Sequence, residues 1–223
     1  MSVLFPLRLS LQVAVVATVL VLVIGVPVAY LLARKRFRGR EVISLILTLP
    51  MVLPPVVTGY LLLLVFGNTG LLGRAWFALT GGQLGIVFTW QAAVIASFAV
   101  SFPFMLVTAR AAMEGVDQDL VNASYMLGRS EFETAWRVVI PLAGRGILAG
   151  ATLAFARAMG EFGATIMLAG NMPGKTNTMP LTIYTETIYG SWGNAAWMVL
   201  LFVAVTGAVL YLSNRLGRRA VKA

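Results

Sequence analysis

Arg157 and Glu161 stand four residues apart in ARAMGEFGATIM, a stretch otherwise as apolar as any in the chain. Opposite charges at that spacing can neutralise one another as an ion pair. They can also form a path element, in which the guanidinium draws an anion and the carboxylate keeps it from binding too tightly to leave. The structural pair is the favoured expectation, because charges in apolar surroundings commonly pair. Arg before Glu is the weaker order within one helix, which leaves room for a partner on another helix. Gly150, Ala154 and Ala158, small residues four apart, would allow such a helix to come close.

A second stretch, AGNMPGKT from Ala169 to Thr176, fits the loose form of a phosphate-binding loop. That chemistry needs a strand before the glycines and a helix after them, so that amides cradle the phosphates. Here an apolar run precedes Gly170 and Pro180 follows, so nucleotide binding is not expected. Lys175, Thr176, Asn177 and Thr178 read instead as a polar loop, either simply solvated or placed to meet an anion or the protein that delivers it. The 223 residues include no Cys and no His, which removes thiol nucleophiles, imidazole bases and the common metal-ligand sets. No catalytic residue and no metal site is expected.

The elements that hold these residues are spans. Hydrophobic residues make up 59% of the chain and charged ones 11%, the mark of an integral membrane protein. A spanning helix needs about 20 apolar residues. Five such runs are expected: Leu9–Ala33, Val42–Phe66, Leu84–Ala109, Ile147–Ala169 and Ala195–Leu212. The first is too long for a signal peptide and is followed by ARKRFRGR in place of a cleavage site, so it is expected to stay attached. Arg157 then lies ten residues into the fourth span, roughly 15 Å deep at 1.5 Å per residue.

Loop charges orient the spans. Arg34, Lys35, Arg36, Arg38 and Arg40, then Arg110, Arg129, Arg137 and Arg145, then Arg215, Arg218, Arg219 and Lys222 fall on one side, against Arg8, Arg74 and Lys175 on the other. By the positive-inside rule the amino terminus is outside and the carboxyl terminus cytoplasmic. The net charge of +9 is thereby explained by the bilayer, and no nucleic acid is expected. In the second span Pro50, Pro54 and Pro55 remove backbone donors and force kinks, either as a structural bend or as part of a pathway.

The cytoplasmic loop at about 110–146 is the most charged segment. It reads as two short helices: Asp117 or Asp119 caps the first, Gly128 ends it in a left-handed turn, and Ser130 with Glu133 forms a capping box for the second. Pro141 closes the second. Leu120, Ala123, Ser124 and Leu127 share one face of the first helix, a strip that either packs on the inner ends of the spans or docks a partner.

Asn122, Ala123, Ser124, Gly128, Val138, Ile140 and Pro141 resemble the EAA loop of ABC-transporter permeases, with Asn122 where the family has Glu and Ser124 where it has a second Ala. In that family the short helix inserts into a groove of the ATP-binding subunit. LPMVLPPVVTGYLLL, SFPFMLVTARAAMEGVD and LAFARAMGEFGATIMLAGNMPGKTNTMPLTIY extend the likeness over most of the chain, which is similar to molybdate permease subunits of type I importers. Sulfate and thiosulfate permeases share the GEFGA part.

The resemblance implies a single transmembrane domain, 1–223, in a multi-pass protein of the inner (plasma) membrane. It implies a homodimer with two cytoplasmic ATP-binding subunits and an extracytoplasmic oxyanion-binding protein. ATP and magnesium would sit on the partner ATPase; the chain itself would bind no cofactor and hydrolyse nothing. Molybdate is the expected cargo, with sulfate, thiosulfate or tungstate as alternatives. Two rivals remain: a secondary transporter, against which stand the absence of an evident internal repeat and of several intramembrane carboxylates, and a structural or assembly membrane protein, which would leave the cytoplasmic loop and the Arg157–Glu161 pair without purpose.

Overall fold

Helices alone account for the regular structure among the described residues, 3–220, of the computed structural model. Lys222 of the basic set lies outside those residues, and the side chains of Arg218 and Arg219 are outside the described ones too. The helices are α1 (Leu4–Arg34), α2 (Arg40–Val52), α3 (Pro55–Phe66), α4 (Leu71–Thr80), α5 (Trp90–Glu114), α6 (Gln118–Met126) and α7 (Glu131–Thr134). After a π-helical turn, Ala135–Val139, come α8 (Ile140–Leu142), α9 (Gly144–Met159), α10 (Gly163–Leu168), α11 (Met179–Ile188) and α12 (Trp192–Ala220).

Small residues draw the centre together. α1 lays Ala14, Ala17, Val21 and Gly25 against α5, where a Cβ on Gly25 would sit 3.3 Å from Met105 Cγ. α9 approaches α5 from another side more tightly still. A Cβ at Gly146 would fall 2.2 Å from that of Ala112, and one at Gly150 2.2 Å from Thr108 Oγ1. Gly150, Ala154 and Ala158 are buried, so their strip serves packing within this chain.

Outward faces are apolar while Ser10, Ser97, Ser101, Thr165 and Glu161 are buried, the arrangement a bilayer solvent selects. α2 buries no residue at all, and Val42, Leu45, Ile46 and Val52 stand exposed along it.

Four stretches are long and apolar enough to cross a membrane: Leu4–Arg34, Pro55–Thr80, Trp90–Glu114 and Trp192–Leu212. A fifth is available if Glu131–Leu142 and Gly144–Met159, bent by 72°, count as one. Three of the expected spans are redrawn. The Val42–Phe66 run is cut where Leu53 and Pro54 are extended, and Pro55 then starts α3 from its first turn, the position that proline suits. Pro50 stays inside α2. The Leu84–Ala109 run becomes helical only at Trp90, after Thr89 caps the Ala92 N–H, and it continues to Glu114. The Ile147–Ala169 run breaks at Gly160–Phe162.

The two breaks meet. A Cβ on Gly163 would sit 2.9 Å from Pro55 Cβ, and one on Gly59 2.7 Å from Met167 Cβ and 2.8 Å from Ala164 Cα. Backbone therefore lies on backbone where the second run resumes as α3 and the fourth as α10.

Candidate functional site

The charge pair sits at that crossing. Arg157 is in the last turn of α9, and Glu161 follows the end of that helix. Glu161 Oε1 accepts the Ala164 N–H at 2.7 Å, satisfying an amide at the start of α10. Glu161 Oε2 lies 2.7 Å from Arg157 Nη1. This is a charge contact whose angles fall outside a directed hydrogen bond, so among the described residues Oε2 has no hydrogen-bond donor. The Glu161 side chain is 1% exposed and that of Arg157 25%.

The break also accounts for the order of the charges. Within one unbroken helix Arg before Glu is the poorer arrangement, because each charge faces the wrong way along the macrodipole. Here the cation closes one helix at its carbonyl end and the anion opens the next at its amide end, both favourable. Thr58, on α3 beside the crossing, is 4% exposed, and its hydroxyl has no partner among the described residues.

The polar loop expected at Lys175–Thr178 is largely folded inward. Lys175 is exposed, but Thr176, Asn177 and Thr178 are buried. Thr176 Oγ1 accepts the Met172 N–H at 3.0 Å and Asn177 Oδ1 accepts that of Gly174 at 2.9 Å. The loop's own side chains thus occupy amides that a phosphate would need. An open solvated loop is not what forms, because these polar groups tie down their own backbone. At its end the Met179 N–H donates to Ser10 Oγ of α1 at 2.8 Å, a buried bond. Nearby Phe88 holds a left-handed backbone, φ 62°, and donates its N–H to the Leu168 carbonyl.

At the opposite, basic end, α6, α7 and the π turn form a compact hook. Asp117 caps α6 by accepting the Asp119 N–H at 2.9 Å. Gly128, at φ 77°, closes it, with the Gly128 N–H on Tyr125 O and the Arg129 N–H on Ser124 O, the paired bonds of a Schellman turn. Ser130 and Glu133 form the capping box. Two hydrogen bonds from Ser130, through its N–H and its hydroxyl, hold the Glu133 carboxyl below the usual glutamate range.

The strip expected on α6 is divided. Ser124 turns inward with Val121, its hydroxyl 2.9 Å from that of Thr134. Leu120, Asn122, Ala123 and Leu127 face outward, as does Pro141. They are joined by residues that the expected strip left out: Met126 at the end of α6, and Phe132 and Trp136 beyond it, 88%, 78% and 65% exposed. The four-residue spacing of Phe132 and Trp136 was the available signal.

Also unforeseen are the contacts that hold the hook. Arg34 donates through Nη1 to Gln118 Oε1 at 2.9 Å and through Nη2 to Val116 O at 2.8 Å. Lys35 Nζ pairs with Glu131 Oε2 at 2.5 Å. Glu114, closing α5, takes Arg40 at 2.9 Å and Arg110 at 2.8 Å, and Arg110 reaches Ser44 on α2.

A helical bundle crossed by broken spans, with a capped two-helix hook at its basic end, defines a transport-system membrane component. The chain belongs to the family of binding-protein-dependent transport system inner membrane components, matched over residues 22–223. Among its relatives, the molybdenum transport system permease protein ModB of Escherichia coli (strain K12) is 40% identical over 215 residues, covering 94% of this chain and 91% of its own length. The ModB of Haemophilus influenzae is 39% identical over 220 residues, 97% of this chain and 94% of its own. A putative molybdenum transport system permease protein, YvgM, of Bacillus subtilis is 39% identical over 201 residues, 89% of this chain and 87% of its own.

Solved structures share the fold. A bacterial alginate ABC transporter, in complex with an alginate-bound periplasmic protein, matches with a TM-score of 0.82 at 14% identity, over 99% of this chain and 80% of that one. The MetNI methionine ABC transporter in an inward-facing conformation matches with a TM-score of 0.69 at 19% identity, over 100% of this chain and 98% of that one.

Proposed function

We propose that the chain is the permease subunit of an ATP-driven importer whose cargo is molybdate. The observation that carries this reading is identity near 40% to molybdenum permeases along more than nine-tenths of the chain. In this reading the chain crosses the membrane five times, with α9 and α10 as the broken fourth crossing and the basic end in the cytoplasm. Two copies form the pathway, two ATP-binding subunits hold ATP and magnesium inside, and a binding protein delivers the oxyanion outside.

The hook is the coupling element. Leu120, Ala123 and Leu127, with Met126, Phe132 and Trp136, supply the apolar surface that enters the ATPase. Asn122 stands on the same exposed side. Ser124 holds the hook's inner face closed, and Gly128 and Pro141 set its turns. An apolar surface of this kind in water is expected to be covered by a partner. Arg157 and Glu161 form a structural brace that fixes the break in the fourth crossing, a role favoured by the carboxylate's second bond to Ala164. Pro54 and Pro55 set the break that faces it, while Pro50 lies within α2.

Uptake of molybdate by the purified complex in liposomes, with tungstate, sulfate and thiosulfate as competitors, tests the cargo. Molybdate and tungstate should compete at similar concentrations, and sulfate should need a large excess. Equal competition by sulfate would reassign the cargo. Uptake without the ATPase subunits would return the chain to the secondary transporters.

A further inference from the structure

α1 is bound near both of its ends to segments far from it in sequence. It runs unbroken for 31 residues, Pro27 included. From Ser10 to Arg34 that is about 36 Å at 1.5 Å per residue, more than the roughly 30 Å hydrocarbon core. Toward the cytoplasm, Arg34 grips both the Val116 carbonyl and Gln118, where α6 begins. The neighbouring Lys35 grips Glu131, where α7 begins. These bonds join residues 82, 84 and 96 positions apart, and they seize the hook at the starts of both its helices. At the other end Ser10 holds the Met179 N–H, 169 positions away, where the outer loop enters α11.

The hook's covalent neighbours offer a less direct route. On one side α9 turns by 72° from the hook and then breaks at Gly160–Phe162 before its continuation reaches the outer side. On the other, α5 is continuous, but it begins at Trp90, after the strained Phe88 segment. A stiff helix with a specific bond at each end passes displacement along its axis with little loss, whereas a broken one bends at its break.

We infer that α1 is the strut by which the outer face and the ATPase hook sense one another, with Arg34 and Ser10 as its positioning residues. Lys35 contributes less, since its pair is nearly half exposed on both sides and exposed pairs are weak. The inference rests on the permease reading above. Failure of that reading would show in the wild-type complex, which would then give no hydrolysis stimulated by the binding protein. Failure of the strut shows only in the variants.

The experiment uses the whole complex in liposomes and measures ATP hydrolysis with and without molybdate-loaded binding protein, beside uptake. Arg34→Ala should leave the ATPase subunits bound and basal hydrolysis within about twofold, while stimulation and uptake fall about tenfold. Arg34→Lys, which keeps the charge on a single donor nitrogen, should recover part of both. Ser10→Ala should produce the same loss from the other end, and Ser10→Thr, which keeps the acceptor, should restore it. Links in series fail together, so the double variant Arg34→Ala with Ser10→Ala should be no worse than the poorer single. Full stimulation in Arg34→Ala overturns the strut, and so does loss of the bound ATPase, which would make Arg34 a docking residue. Losses that multiply in the double variant overturn it as well, because they would mark two independent sites.

Discussion

Glu161 is asked for two things by its surroundings: a charge opposite Arg157 and an acceptor for the Ala164 N–H. Exchanging the pair, Arg157→Glu with Glu161→Arg, keeps the first and loses the second, because a guanidinium has no acceptor. The exchange should therefore fail to restore assembly, although it would succeed for a pair that only balanced charge. Glu161→Gln keeps an oxygen for Ala164 and should retain more assembled complex than Glu161→Ala. The alanine strands a largely buried guanidinium and a buried amide, a loss of about 3–5 kcal/mol. Size-exclusion yield of the complex and uptake, measured on all three variants, check the order. Recovery by the exchange would return Arg157 and Glu161 to simple charge balance.

At the scale of elements, Gly128 isolates backbone strain from crowding. A Cβ there meets nothing within 4 Å, yet φ is 77°. Gly128→Val should cost about 1–2 kcal/mol of hook stability through backbone alone, weakening ATPase co-purification and uptake together. Gly128→Asn, which tolerates that backbone, should stay near wild type. Normal docking with lost uptake in the Val variant would move the defect elsewhere.

Glu133 adds a pH dependence. Its carboxyl is held below the usual range, so its stabilisation is present above the unfolded value of about 4.3 and is lost as pH falls through the lowered one. Glu133→Gln should remove that acid-side loss from an ATPase-binding curve.

These caps were readable in the sequence because each is local, an Asp, Gly, Ser or Glu acting within four residues. The breaks were only half readable. Three prolines marked the first, but Gly160-Glu161-Phe162-Gly163 looked continuous, since hydropathy does not register the direction in which a helix leaves a glycine. The strut's bonds were not readable at all, because nothing near Arg34 in sequence points to Val116 or Gln118.

For the whole molecule, orientation is open to a clean test, because the native chain contains no cysteine. Lys175→Cys and Asp119→Cys, both at exposed positions, should be labelled from opposite sides by a membrane-impermeant maleimide. Labelling from one side would undo the five-crossing reading. Thr178 is a poorer site, being 4% exposed.

The exposed apolar residues divide between two solvents, with different fates for a copy that has not yet met its partners. In the five-crossing reading those along α2 would rest in lipid, where an unpartnered helix loses nothing by waiting. Met126, Leu127, Phe132 and Trp136 would wait in water instead, where they would resemble the surfaces that chaperones and proteases recognise. An orphan subunit would thus be stable in its membrane part and conspicuous at its hook, so the cell's supply of ATPase would set how much permease survives.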